Sequence, residues 1–159
     1  MTTPHDGQPV GATLRWYTRS VERRYDEDVE SWRDNPPENT GITVQFGARL
    51  LQLTQDEDTE IRAPAIRVRL VLRLEQANVS AKVDGGVEFP FAPGTDVTRE
   101  QAAQFVREHG LAYLLGMERG VLADLTREVG LSAVLVPFIL PEGLLDDIEE
   151  SLSVEDEFV

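Results

Sequence analysis

The histidine and serine side chains of this chain are not spaced for catalysis or metal binding. The only two histidines are His5, in a polar terminus, and His109, near the end of a helical pattern. No His-rich metal site can be built from them within one chain, and the charged form of His109 would instead interact well with a helix C-terminus. The sequence GLSAV at Gly130–Val134 approaches the hydrolase motif G-x-S-x-G. It lacks the final glycine, and it leads from a helix to a strand instead of from a strand to a helix.

Nucleotide, calcium and thiol chemistry have no motif either. The chain has no G-x-x-x-x-G-K-S/T sequence, and its one lysine, Lys82, lies in a strand pattern. Asp56-Glu57-Asp58 lacks the glycine and spaced carboxylates of a calcium loop and is typical of a hairpin turn. There is no cysteine. We therefore expect that the protein binds no cofactor or metal and is not an enzyme. An acid–base enzyme stays open only because 29 Asp and Glu residues offer many carboxylate pairs.

The length and composition are typical of one folded domain. The 159 residues are 41% hydrophobic and 28% charged, enough for a core without disulfide or metal. No apolar run is long enough to cross a bilayer, and residues 1–11 lack the basic-then-apolar order of a secretion signal. We expect a cytoplasmic protein without membrane insertion. It would comprise a disordered N-terminus (1–11), a folded domain (12–141) and an acidic C-terminal tail (142–159).

The formal net charge of −14 limits the kind of partner. A surface with this excess of negative charge repels a phosphate backbone, so nucleic acid is not expected as a partner unless one face is locally basic. Much of the excess charge lies between Glu142 and Glu157, where no basic residue occurs. This run is typical of a solvated tail, and the alternative is a docking segment for a basic partner.

Four segments predict β-strands, namely Ala12–Val21, Ile42–Leu53, Ile66–Glu75 and Val79–Phe91. The clearest is Ile66–Glu75, in which Ile, Val and Leu alternate with Arg and Glu. Period two indicates an antiparallel sheet with one packed face and one exposed face. Gly85-Gly86 in the fourth segment predicts a bulge, or a bend where another backbone approaches.

After Pro93-Gly94 the period becomes helical. Thr98 and Gln101 form a capping-box pattern that begins a first helix, which Gly110 is expected to end. Apolar residues at helical spacing then predict a second helix that runs to Gly130. The predicted fold class is therefore α+β, with a four-stranded antiparallel sheet followed by two helices packed on one face.

Large apolar side chains are the candidate contacts for another polypeptide. Aromatic and methionine side chains offer adaptable apolar surface, although each of them is also compatible with a place in the core. Trp32 lies in the polar connection 22–39 and is expected to fold back onto the domain. The candidates for client binding are Trp16, Trp32, Phe46, Phe89, Phe91, Leu114 and Met117.

The order of these segments resembles SecB, the protein-export chaperone, and the SecB-like chaperones that accompany toxin–antitoxin pairs. Arg15–Val21 is similar to the family's R-I-Y-T-K-D-I-S strand, and Val87–Gly94 follows a Gly-Gly pair as the family's G-G-I-F-x-I-x-G does. Leu114-Leu115 and Arg119 fall where the family's long helix carries N-I-L-F-P-Y-A-R. The resemblance covers nearly the whole chain. One departure is Gly116-Met117-Glu118, which stands where the family has Pro-Tyr-Ala.

The resemblance implies an ATP-independent holdase that binds unfolded polypeptides in grooves between sheet, helix and connecting loop. It also implies a homotetramer built as a dimer of dimers. The acidic outer sheet face by which SecB meets the SecA motor is not copied, because Arg67, Arg69 and Arg73 fall there. Client binding is therefore better supported than coupling to the motor in protein transport.

A second hypothesis, from another class, is a SecB-fold adaptor or assembly subunit that binds one dedicated partner, with the acidic tail as the docking segment. Deletion of Leu144–Val159 would then abolish partner binding, whereas a general holdase would keep most of its activity. The sequence leaves open which clients bind and whether export or a toxin–antitoxin pair is involved.

Overall fold

The computed structural model describes residues 7–23, 41–54, 62–75, 79–130, 143–146 and 148–158. Trp32, the Asp56–Asp58 turn and Ser132 of the GLSAV sequence lie outside these residues.

Five strands form one mixed sheet in the order β1-β4-β3-β2-β5. The first three pairings, β1 with β4, β4 with β3 and β3 with β2, are antiparallel, whereas β5 runs parallel to β2. The prediction of four antiparallel strands was therefore wrong in the number of strands and in the direction of the last one. The fifth strand was missed because its sequence, SVEDEF, is acidic and has no period-two apolar pattern. The strands are β1 (Thr13–Arg23), β2 (Gly41–Thr54), β3 (Arg62–Glu75), β4 (Val79–Pro90) and β5 (Ser153–Phe158).

The sheet has an inner face, which packs against a helix, and an outer face on the other side. Alternate residues of β3 from Ile66 to Leu74 are buried on the inner face, while Arg69 and Arg73 are exposed on the outer face. The register places Phe46, Leu70, Gly85 and Trp16 in one row across β2, β3, β4 and β1. Trp16 and Phe46 thus lie on the same face, at opposite ends of that row.

A single helical run of three parts covers the inner face. Its parts are α1 (Arg99–Phe105), a π-helical turn (Val106–Gly110) and α2 (Leu111–Glu128). The capping box is confirmed, since the Thr98 hydroxyl accepts from the Gln101 N–H and the Gln101 side chain accepts from the Thr98 N–H. The expectation that Gly110 ends a helix was wrong. Its φ of −63° and ψ of −46° are helical, because packing against the sheet overrides the weak helix propensity of glycine.

The helix α2 lies mainly over β4, β3 and β1. Its buried residues include Leu111, Leu114, Leu122 and Leu125, which join the core of the sheet. Gly130 ends the helix with a φ of 79°, as its place after the apolar stripe predicts.

The acidic C-terminal segment is part of the fold where it is described. It contains α3 (Ile148–Ser151) and β5, and Ile148 and Leu152 are 1% and 0% exposed. The Arg99 guanidinium donates to the carbonyl oxygens of Glu150 and Leu152 at 3.0 and 2.6 Å. This segment is therefore anchored by apolar burial and by hydrogen bonds from α1.

Candidate polypeptide-binding surface

One half of β2 has an edge that no described strand occupies. On one side β2 pairs with β3 over its whole length, and on the other side β5 pairs only with Arg49–Thr54. Among the residues that the structure describes, no second strand therefore pairs with Gly41–Ala48, although α3 contacts β2 and Ser151 lies near Gln45–Ala48. We call Gly41–Ala48 the open edge. A strand edge of this kind carries backbone N–H and C=O groups that are able to pair with another chain.

The open edge also carries apolar side chains on the inner face. Ile42, Val44, Phe46 and Ala48 are half-buried and pack against the core. They remain only half-buried because α2 lies mainly over the other three antiparallel strands. The edge thus joins unused backbone pairing groups to a stripe of accessible apolar surface.

At the other end of the same row, Trp16 and the helix residue Glu118 meet over Gly85. A Cβ atom at Gly85 would lie 2.7 Å from the Trp16 ring and 2.9 Å from Glu118 Oε1, so this contact requires glycine. The register between β1 and β4 shifts here, with Tyr17 as the extra residue. The Gly-Gly pair thus coincides with a bulge, but the bulge lies on β1, and at Gly85 side chains approach instead of a backbone.

Glu118 is a buried acid that has no hydrogen-bond partner among the described residues. Its side chain is fully buried, and neither carboxyl oxygen is paired with any described residue. Burial raises the pKa of Glu118 to about 9, and the charge of Asp84 adds to the rise. The Gly85 backbone opposes this rise but makes no hydrogen bond of normal geometry to either oxygen. Glu118 is therefore protonated at neutral pH, which keeps the space between α2 and the sheet uncharged.

A cluster of aromatic rings lies where α1 passes over the end of β4. Phe89 packs edge-on against Phe105 and Tyr113, with ring centroids 4.9 and 5.7 Å apart. A cavity of about 420 Å³ adjoins the cluster and is lined by Phe91, Phe105 and His109 together with polar side chains of α1. None of the residues that line this cavity belongs to the open edge.

The predicted client-binding residues do not form one cluster. Phe89, Phe91 and Leu114 are buried in the core, and Met117 is 40% exposed on the far side of α2. Trp16 and Phe46 are half-buried on the inner face, and Trp32 lies outside the described residues. Phe46 is the candidate that belongs to the open edge.

Sequence reasoning missed Ile42 and Val44 as candidate contacts. In the sequence they look like ordinary core positions of a strand, because they alternate with polar residues. Their partial exposure depends on which strands the helix covers, and a strand pattern carries no signal for that. Glu118 was also missed, although an acidic residue between the apolar positions Leu115 and Leu122 of a helix was a usable signal.

The described part of the chain offers no group of three or more His, Cys, Asp or Glu side chains placed to hold a metal ion. Within the same residues, no helix is both long and apolar enough to span a membrane.

No protein-family model matches the sequence, and a search of curated proteins gives no match either. Among solved structures, the chain is similar to the SecB-like chaperone Rv1957 of Mycobacterium tuberculosis, solved in complex with a ChAD peptide from the Rv1956 HigA1 antitoxin. The two share 17% identity over 82% of this chain and 91% of that one, with a TM-score of 0.51. A protein of unknown function from Streptococcus agalactiae matches with 12% identity, 80% and 97% coverage and a TM-score of 0.37. The first likeness shows that the fold of this chain is SecB-like.

Proposed function

We propose that this protein is an ATP-independent chaperone that holds non-native polypeptides by adding an extended segment to the open edge. The open edge is the observation that carries the proposal. Gly41–Ala48 has free pairing groups among the described residues, and its inner side chains, Val44 and Phe46 among them, offer apolar contacts. Strand addition obtains affinity from main-chain hydrogen bonds and specificity from alternate side chains. It is therefore suited to unfolded chains of many sequences.

The structural neighbour supports a role in polypeptide binding. The SecB-like chaperone of M. tuberculosis was solved with a peptide from an antitoxin. By analogy we propose that this chain works in the cytoplasm on unfolded or newly made polypeptides, with antitoxins as one class of client. We propose no nucleotide, metal or covalent chemistry.

Oligomerisation as a dimer of dimers is part of the proposal. The exposed side of α2 carries Met117, which is 40% exposed, and Tyr113, which is 39% exposed although its ring also packs against Phe89. Gly116 and Gly120 lie between and beside them, and a Cβ at either glycine would meet no described atom within 4 Å. Small residues flanked by apolar ones allow two helices to approach closely. Light scattering should therefore report a tetramer, and Gly120→Arg should reduce it to a smaller species. A wild-type monomer would contradict this part.

An aggregation assay without nucleotide tests the chaperone function. A chemically unfolded client is diluted into buffer with the protein, and light scattering is recorded. We expect wild-type protein to suppress scattering and Val44→Lys to lose most of that effect, because a charge would enter the apolar stripe at the edge. The matched control is Thr13→Lys, which places the same charge at an exposed position of β1, opposite Glu88 and away from the open edge. Absence of suppression by wild-type protein would refute the chaperone function, and equal activity of the two variants would refute the open edge as its site.

The alternative is an adaptor that binds one basic partner through its acidic C-terminal segment. Glu149 and Glu150 are exposed on α3 and available for such a contact. Deletion of the segment does not test this alternative, because Ile148 and Leu152 are in the core. The double substitution Glu149→Gln/Glu150→Gln does test it. Loss of a partner in a pull-down with normal aggregation suppression would favour the adaptor.

A further inference from the structure

Five basic side chains lie together on the outer face of the sheet near the open edge, and we call them the cation band. The register places Arg49 directly opposite Arg67, and Arg73 directly opposite Lys82. Like charges directly opposite each other in a sheet are destabilising. The fold keeps two such pairs on one face in a protein whose net charge is −14. The band consists of Arg49, Arg67, Arg69, Arg73 and Lys82.

The acidic side chains nearby neutralise the band only in part. Arg69 forms a two-point ion pair with Asp84 at 2.9 and 2.8 Å, and Arg67 donates to Glu88 at 2.8 Å. Arg49 reaches Glu155 at 3.3 Å in an exposed contact.

At the other end of the band, Arg73 and Lys82 form no ion pair within 4 Å of any described residue, and both act only at longer range on Asp84, whose pKa they help to lower. This end therefore has positive charge available for an external carboxylate.

The band borders a depression that opens beside the open edge. The depression has a volume of about 600 Å³ and is lined by Gln45, Gly47, Arg49 and Arg69 among others. A Cβ at Gly47 would meet no atom within 4 Å. An incoming side chain opposite Gly47 would thus find open space with guanidinium groups around it.

We propose that the cation band selects clients whose extended segments alternate apolar and acidic residues. The inference rests on the proposed strand addition at the open edge. In an added strand, successive side chains point to opposite faces. One set would contact Val44 and Phe46 on the inner face, and the other set would lie beside Thr43, Gln45 and Gly47 on the outer face, within reach of the arginines.

The charged residues near each position of the open edge determine where a carboxylate of the added strand is favoured. Thr43 lies opposite Arg73, and the exposed Arg49 follows Gly47 on the same face of β2, so carboxylates are favoured beside Thr43 and Gly47. Guanidinium groups match carboxylates in geometry and charge. The preferred client segment is thus an amphipathic strand of Val or Leu alternating with Asp or Glu.

Peptide binding to the full-length protein tests the proposal. Three fluorescent peptides of about nine residues carry the same alternate valines, with Glu, Gln or Lys at the positions between them, and fluorescence anisotropy measures their affinity. We expect the Glu peptide to bind about fivefold more tightly than the Gln peptide, which is the size expected of two surface ion pairs. The advantage should shrink as salt is raised, because exposed charges are screened.

Substitutions then assign the effect to the cation band. Arg49→Gln/Arg73→Gln removes two exposed charges and should abolish the preference for the Glu peptide over the Gln peptide. The control Arg107→Gln/Arg127→Gln removes two exposed charges on the helical run and should keep the preference. Thermal melting confirms that both variants fold.

The failures of the two proposals are distinguishable. Equal binding of the Glu and Gln peptides to wild-type protein, or tightest binding of the Lys peptide, overturns the selection and leaves strand addition intact. No binding of any peptide overturns strand addition and the selection together.

Discussion

Replacement of Glu118 by glutamine should change how stability depends on pH. The folded protein holds the Glu118 pKa at about 9, whereas a glutamate in an unfolded chain titrates near about 4.3. Below the lower value both states carry the proton, so the burial of this group costs nothing extra. Between the two values only the unfolded state releases the proton. The free energy of unfolding therefore falls as pH rises through this window and levels off above the folded-state pKa.

The size of the effect follows from the proton that unfolding releases. Each pH unit inside the window costs about 1.4 kcal/mol, so the penalty reaches about 4 kcal/mol at pH 7. Glutamine has the same shape and does not titrate. We expect the stability of Glu118→Gln relative to wild type to grow by about 3 kcal/mol between pH 5 and pH 7.

Urea unfolding followed by circular dichroism at several pH values and constant ionic strength measures this difference. Glu128→Gln is the control, because Glu128 is exposed on the same helix and its substitution should shift stability little at any pH. A difference between Glu118→Gln and wild type that stays constant from pH 5 to pH 8 would refute the assignment of Glu118 as a buried, protonated acid.

Three further substitutions test the packing that supports the site. Gly85→Ala should destabilise the protein by about 1–3 kcal/mol, because its Cβ would lie 2.7 Å from the Trp16 ring; chemical denaturation measures the loss. Leu152→Ala should cost about 2–4 kcal/mol, whereas Val154→Ala, at a side chain 53% exposed, should change the melting temperature little. Asp84→Asn should cost on the order of 1 kcal/mol at pH 7. The ion pair with Arg69 lowers the pKa of Asp84 in the folded protein. The contribution of the pair to stability is therefore present above the pKa that Asp84 has in the unfolded chain, and it is lost as pH falls through the lower pKa of the folded protein. Equal acid sensitivity of Asp84→Asn and wild type would contradict this prediction.

Much of the fold was predictable because local chemistry and tertiary packing agree. Period two from Ile66 to Glu75 requires one packed face, and the capping box at Thr98 requires a helix start; both are present in the structure. Gly130 ends α2 for a local reason, its left-handed backbone. These features depend on residues close together in the sequence.

The remaining features depend on contacts between distant residues. β5 has no apolar alternation and forms because β2 supplies pairing groups and Ile148 and Leu152 anchor the segment before it. Gly110 stays helical because the sheet supports the helical run there. The open edge arises because β5 is shorter than β2 and α2 lies to one side, and neither relation is visible in Ile42 or Val44 themselves.

Amide hydrogen exchange with and without a saturating unfolded client peptide tests strand addition most directly. An added strand would engage alternate backbone N–H groups of the open edge. We predict slowed exchange at alternate residues of Gly41–Ala48 when the client binds, with little change in Arg49–Leu53, where β5 already pairs with β2. Unchanged exchange along Gly41–Ala48 in a client-saturated protein would contradict the account.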